Sequence, residues 1–316
     1  MKVFVAGATG ALGLPLVRAL VARKHQVTGL TRSAEKRRTL EQLGAAAAIA
    51  DALDATGLEQ AVRAASPDCV FHLLTAIPKN TLLRASHMKQ TNVLRTAGRA
   101  NLLNACVAAG VKRIVAESMV FAYGFGDHGA GAKTEGDVLQ QREPESSLQE
   151  TVDALRSLEV QLLTANEQRL IESIVLRYGF FYGAGPSEYI VKMLRRRMLP
   201  KAKGARGVAP WIHIEDAVNA SLAAMERGHA GEIYNIVDDE PVGMNEWLTH
   251  AALSLNARPP FSIPLWLLRL LSAYLATVFE TRLAVSNRKA KDELDWRLQY
   301  PTYREGLREV AAHFKV

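Results

Sequence analysis

The sequence predicts an α/β protein: a doubly wound parallel sheet followed by a smaller, mainly helical lobe. Two observations carry this. Short β-branched apolar runs alternate with helix-period segments through the first half of the chain, which is the pattern of strand–helix–strand units whose parallel sheet is covered on both faces. The second is AGATGALG at residues 6–13, with Gly7, Gly10 and Gly13 between the first strand and the first helix.

The elements follow in order. KVFVAG reads as a strand and Leu12 to Arg23 as a helix; HQVTGLTR, AEKRRTLEQLG closed by Gly44, AAAAIAD and ATGLEQAVRAA continue the alternation. CVFHLLTA, KRIVAESM and ESIVLRYG are further strands, separated by helices from about Leu83 to Ala109 and from about Leu148 to Asn166. The expected organisation is a nucleotide-binding unit over residues 1–180 with its sheet completed by about 208–238, and a substrate lobe built from 181–207 and 239–316. In that lobe Trp211, Met244, Trp247, Pro264, Trp266, Leu267 and Phe279 make either an apolar pocket or ordinary core.

Composition narrows the classes. A chain of 316 residues, 48% hydrophobic and 22% charged, can bury a sizeable core. Its formal charge of +7 is scattered, apart from Arg195, Arg196 and Arg197 with Lys201, Lys203 and Arg206. No aromatic residues interleave that cluster as a base-stacking platform requires, so a nucleic-acid partner is not expected. Cys69 and Cys106 sit in apolar segments without metal-ligand spacing and read as buried thiols of a cytoplasmic protein. Lys2 leads straight into the first strand without a signal-peptide layout, and the apolar stretch Ile263 to Val278 is interrupted by Pro264 and Arg269. No membrane insertion is expected.

Glycines at that place permit a tight turn and a close backbone approach to a pyrophosphate, while the helix N-terminus offers N–H groups to the anion. The stretch Gly7, Thr9, Gly10, Ala11, Leu12 and Gly13 is therefore expected to hold a dinucleotide on a Rossmann-like sheet. The end of the second strand selects which one. An NAD site expects a carboxylate there for the ribose 2′-OH, but the chain places Thr31, Arg32 and Ser33, with Lys36 in the next helix. A guanidinium and hydroxyls suit a 2′-phosphate, so NADP(H) is favoured.

With these motifs the chain resembles the extended short-chain dehydrogenase/reductase family, the NAD(P)-dependent epimerase/dehydratase group. Further markers are Asp51 after the third strand, VFHLLTA, NLLNACVAAGVKRIV, VLRYGFFYGAG, WIHIEDAVNASLAAMERGHAGEIYNIVDDEP, SNRKAKDELDW and YPTYREGL. The resemblance implies cofactor contacts from Asp51 and Ala52, from Leu74, Thr75 and Ala76, and from Tyr178, Gly179, Phe180 and Phe181. It also implies a catalytic relay of serine, a YxxxK tyrosine–lysine pair and a helix asparagine, and a homodimer through two long helices.

The relay is missing. Its serine position falls on Met119, its tyrosine on Thr151, its lysine on Leu155 and its asparagine on Arg95, and none of the eight tyrosines is followed four residues later by lysine. Tyr189 and Lys192 fall one residue short. Since general acid–base catalysis contributes about 10²- to 10⁴-fold, its loss slows a ketone reduction without abolishing hydride transfer. Tyr123 and Ser118 are the expected substitute proton sources, with Tyr178, Tyr182 and the strand-end Glu117 as further candidates. His72 reads as a core residue, and His213 with Asp216 as a link between lobes.

The expected activity is thus NADP(H)-dependent reduction of a hydrophobic small-molecule carbonyl or conjugated metabolite. A non-redox enzyme or isomerase, and a non-catalytic nucleotide-sensing or assembly protein, stay open as alternatives. The glycine-rich loop Gly124 to Asp137 is expected to act as a lid.

Overall fold

The computed structural model describes residues 1–78, 84–140, 143 and 146–314. Its first half runs β1 (Lys2–Ala6), α1 (Gly13–Ala22), β2 (Gln26–Thr31), α2 (Ala34–Gln42), β3 (Ala46–Ile49), α3 (Ala55–Ala65), β4 (Cys69–His72), α4 (Lys89–Val93), α5 (Arg99–Ala108), β5 (Arg113–Met119), α6 (Ser146–Glu167) and β6 (Glu172–Tyr178). Next come β7 (Phe180–Tyr182), α7 (Glu188–Arg195), β8 (Lys201–Lys203), β9 (Trp211–His213), α8 (Ile214–Arg227) and β10 (Ile233–Ile236). The chain closes with α9 (Met244–Ser254), β11 (Ser262–Pro264), α10 (Leu265–Leu271), α11 (Ala273–Glu280), α12 (Arg288–Leu294) and α13 (Tyr303–His313).

Seven strands form one sheet in the order β10-β6-β5-β4-β1-β2-β3. Every neighbouring pair is parallel, with Val5 level with Gly29 on one side and Phe71 on the other. The chain winds outward in both directions from β1, so the order reverses between β1 and β4. A crevice opens at such a switch point, beyond the C-terminal strand ends. Successive side chains alternate faces: Val3 and Val5 pack with Leu16, Val17 and Ala220, while Phe4 packs with Leu58, Val62 and Leu102 on the opposite face. Both faces are dry, which is why these strands read as continuous apolar runs.

One expected helix is broken, and one long apolar run is divided. The one expected from Leu83, a residue outside the described ones, to Ala109 is a 3₁₀ turn over Ala85–Met88, then α4, a π-helical turn over Leu94–Gly98, and α5. The apolar run Ile263 to Val278 splits at Ser272, whose extended backbone ends α10 and whose hydroxyl accepts from the Leu275 N–H at the start of α11. No helix of the described residues is long and apolar enough to cross a membrane.

Beyond the sheet, Trp211 and Trp247 stack with ring centroids 4.3 Å apart. Together with Tyr182, Tyr303 and Leu307 they form a separate apolar core. Trp211, Trp247 and Phe279 are therefore core, whereas Trp266 stands 64% exposed. The Gly124 to Asp137 loop is laced to the segment before α12: Arg282 and Gly126, His128 and Arg282, and Lys133 with Ala284 and Ser286 exchange backbone hydrogen bonds. Those bonds hold it as a strap rather than a free flap.

Candidate functional site

Gly7 adopts φ +93°, and a Cβ there would lie 2.2 Å from the Leu73 carbonyl oxygen. A Cβ on Gly13 would lie 2.1 Å from the Gly7 carbonyl oxygen, so β1, α1 and the strand-end backbone of β4 meet closer than any side chain permits. A Cβ on Gly10 would meet only the Gly7 carbonyl oxygen, at 3.1 Å, a far smaller overlap. Leu12 is turned into the core, and the N-terminus of α1 carries no side-chain cap. This is a cradle that backbone alone lines, and it fits a dinucleotide pyrophosphate.

At the end of β2, the Thr31 hydroxyl accepts from the Ser33 N–H at 3.2 Å, and the Ser33 hydroxyl caps α2 by accepting from the Lys36 N–H at 3.4 Å. Arg32 projects into solvent with Nη1 3.8 Å from Asp51 Oδ2, while Asp51 Oδ1 accepts from the Leu53 N–H. The strand ends thus gather Arg32, Ser33, Lys36 and Asp51 at one edge of the crevice. Ala52 is buried, and its carbonyl accepts from Asn101. After β4, Leu74 is partly covered, Thr75 exposed, and the Ala76 N–H donates to Thr91.

Of the positions expected for the relay's serine, tyrosine and lysine, two are buried. Thr151 is 3% exposed and accepts from Asn92 at 3.4 Å. Leu155 is packed with Met88, Phe121, Phe125 and Tyr274, and Met119, partly exposed, packs against two core clusters. The expected substitutes are also buried and bonded to other groups. The Ser118 hydroxyl donates to Glu159 at 2.7 Å. Glu159 in turn clamps the buried Arg177 through two hydrogen bonds of 2.9 and 2.6 Å. That guanidinium covers the Tyr123 ring at 4.7 Å, and the Tyr123 hydroxyl donates toward Thr134 O at 2.9 Å and Asn235 Oδ1 at 3.0 Å. Burial raises the pKa of Tyr123, the more so for Tyr178, whose hydroxyl shares a 2.7 Å hydrogen bond with Ser221. At the end of β6 and just beyond it, Tyr178 and Gly179 are buried, and Phe180 and Phe181 keep partly open faces.

His213 is a scaffold residue. Its Nδ1 accepts from the Glu215 N–H and its Nε2 lies 3.0 Å from Glu309, so the ring is neutral and Nε2 carries the proton. Burial holds its pKa down to about 4. Asp216 accepts from the Gln299 and Tyr300 N–H groups, tying α8 to the chain before α13.

What sequence reasoning missed is the charge left inside. Arg95, on the π-helical turn, is 4% exposed and makes no hydrogen bond or ion pair with any described residue. Glu117, at the end of β5, is close enough to feel that charge; burial nevertheless pushes its carboxyl up to about 7. Counting from Gly98 locates Arg95, but no local pattern says whether a buried guanidinium finds a partner.

A backbone-lined cradle at the switch point of a doubly wound parallel sheet defines a dinucleotide-binding Rossmann protein. Residues 3–237 match the model of the NAD dependent epimerase/dehydratase family. The chain belongs to that family, whose members depend on nicotinamide nucleotides. It is 37% identical to a Streptomyces protein named 3-diazoavenalumate denitrifying reductase, over 97% of this chain and 99% of that one. It is 26% identical to the 4-hydroxy-2-methyl-3-oxo-4-farnesyl-3,4-dihydroquinoline-1-oxide ketoreductase of Stigmatella aurantiaca, over 79% of this chain and 72% of that protein. Among solved structures, the UDP-glucose 4-epimerase of Thermotoga maritima superposes with a TM-score of 0.82 at 20% identity, covering 99% of this chain and 98% of that one, which is a likeness of fold. The reductase relatives make this an oxidoreductase of the short-chain dehydrogenase/reductase type.

Proposed function

We propose that the protein is an NADP(H)-dependent reductase of a hydrophobic small molecule electrophilic enough to accept hydride without a protein acid, with a diazonium or protonated diazo compound as the substrate class. One observation carries the reading: the glycine cradle is kept while the expected serine, tyrosine and lysine positions of the acid–base relay hold Met119, Thr151 and Leu155, the last two of them buried. When bound, reduced nicotinamide supplies the hydride. The net change is R–N₂⁺ plus hydride giving R–H plus N₂: the hydride pair forms the new C–H bond, the C–N bond breaks with its electron pair leaving on dinitrogen, and no proton is consumed. A carbonyl reduction, by contrast, must protonate an alkoxide. The name of the Streptomyces relative supports the substrate class.

This chain's own residues then have three tasks. Gly7, Gly10 and Gly13 admit the pyrophosphate; Arg32, Ser33 and Lys36 hold the 2′-phosphate, with Asp51 at the adenine side. Phe180 and Phe181, partly open behind β6, wall the nicotinamide end and exclude water. Tyr123 and Ser118 serve by holding the Glu159 and Arg177 network in place. In the same reading the protein acts in the cytoplasm, as a homodimer through α5 and α6, where Val160 is 61% exposed.

The test is to give purified protein NADPH labelled with deuterium at the transferable position, together with a stabilised arenediazonium salt. The expected result is protein-dependent loss of nicotinamide absorbance, release of N₂ and deuterium on the arene carbon. NADPH left unconsumed across diazonium, ketone, enone and imine substrates overturns the proposal.

A further inference from the structure

The relay was not simply replaced by apolar core. Where its asparagine would stand, Arg95 occupies a π-helical turn over Leu94–Gly98, an irregularity that recurs at functional sites. Taking a guanidinium out of water requires an anion in return. Yet Arg95, 4% exposed, has no carboxylate within the 4.0 Å of an ion pair among the described residues. The acids whose charge it feels are Glu117 at the end of β5 and, after it, the Tyr274 phenol. One turn along, Arg99 is 0% exposed, and none of its three guanidinium nitrogens has a hydrogen-bond partner. Both arginines act on the buried His72, whose pKa burial and their charges push down to about 3, so the imidazole is neutral and adds no counter-charge. Two buried guanidiniums therefore share one region with a single carboxyl that is itself half neutral near pH 7. Beside them lies an apolar wall in which Phe121 stacks on Phe125 at 4.5 Å and meets Phe180 edge-on at 5.1 Å, with Tyr274 against Phe125.

We propose that Arg95, backed by the charge of Arg99, is the carboxylate-binding subsite of this crevice, and that the substrate is an aryl or arylalkenyl carboxylate whose ring lies along the Phe121, Phe180 and Tyr274 wall. The guanidinium fork matches a carboxylate in two parallel hydrogen bonds. A protonated Glu117 can stand beside that anion without repelling it. The inference rests on the reductase reading for its purpose, but its test needs no turnover.

The test is calorimetric titration of the NADP⁺-loaded protein with cinnamate and with cinnamamide, its neutral counterpart of nearly the same shape. Wild type is expected to bind cinnamate at least about tenfold more tightly, the ratio that one charge-assisted hydrogen bond supplies. Arg95→Leu should reduce cinnamate to the level of the amide, and Arg95→Lys should keep part of the preference, with NADP⁺ affinity unchanged in both. Equal binding of the two ligands by wild type overturns the proposal without any variant; so does a cinnamate preference that survives in a folded Arg95→Leu protein. Cinnamate preference together with no hydride transfer to any electrophile would sink the reductase reading and leave the subsite standing.

Discussion

Replacing Arg32 by alanine separates the phosphate contact from everything else the crevice does. Arg32 is exposed, with side-chain accessibility of 61%, and its only ion-pair partner among the described residues is Asp51 at 3.8 Å. An exposed pair of that kind is worth at most about 1 kcal/mol, so the variant should unfold at nearly the same denaturant concentration as wild type. Toward a 2′-phosphate the guanidinium offers charge-assisted hydrogen bonds, which contribute about 1.5–3 kcal/mol in general. Here solvent and the competing Asp51 carboxylate hold the effect to the lower part of that range, roughly 1.5–2 kcal/mol, or about a ten- to thirtyfold rise in the Kd for NADPH. NADH lacks the phosphate and should bind the variant as it binds wild type. The assay is fluorescence titration with both nucleotides at two ionic strengths, the higher of which should narrow the wild-type preference. Equal weakening of NADPH and NADH, or no weakening of either, would refute the assignment of Arg32 and with it the reading of the β2 end.

Three further outcomes follow from the geometry. Gly10→Ala meets only the Gly7 oxygen at 3.1 Å and should fold normally yet lose dinucleotide binding in the same titration; Gly7→Ala, at φ +93° and 2.2 Å from Leu73 O, should also lose about 2–5 kcal/mol of stability to strain and overlap. Glu159→Leu strands the buried Arg177 charge and should lower stability by about 3–5 kcal/mol in urea denaturation, whereas Glu159→Leu combined with Arg177→Met should recover most of that loss. His213 binds a proton below about 6.5 when unfolded but only below about 4 when folded, so the unfolded state holds more protons between those values. Its contribution, up to about 3 kcal/mol, is therefore present above pH 6.5 and is lost as pH falls toward 4; His213→Gln should flatten the acid limb of the stability profile, as followed by denaturation at a series of pH values.

The doubly wound sheet, the glycine cradle and the character of the β2 end were legible in the sequence, because each is set by residues close together in the chain. Strand and helix periods repeat over a few residues, Gly7 and Gly13 leave space that no other residue leaves, and Arg32 stands where a carboxylate is otherwise required. The absence of YxxxK was equally plain, since a missing spacing needs no coordinates. The fate of the substitute residues depended on partners far along the chain. Ser118 turns to Glu159, 41 residues away, and Tyr123 to Asn235, 112 residues away. Strand alternation alone could say only that Ser118 and Met119 point to opposite faces. The Gly124 to Asp137 loop has the composition of a flap, but backbone bonds to residues beyond 280 hold it down. Likewise, nothing near Arg95 in the sequence records that its charge is buried without an ion pair among the described residues. Sequence determines what each segment prefers and which groups it carries; only the tertiary structure decides which of those groups meet, because desolvation and hydrogen-bond partnership arise where distant segments pack together.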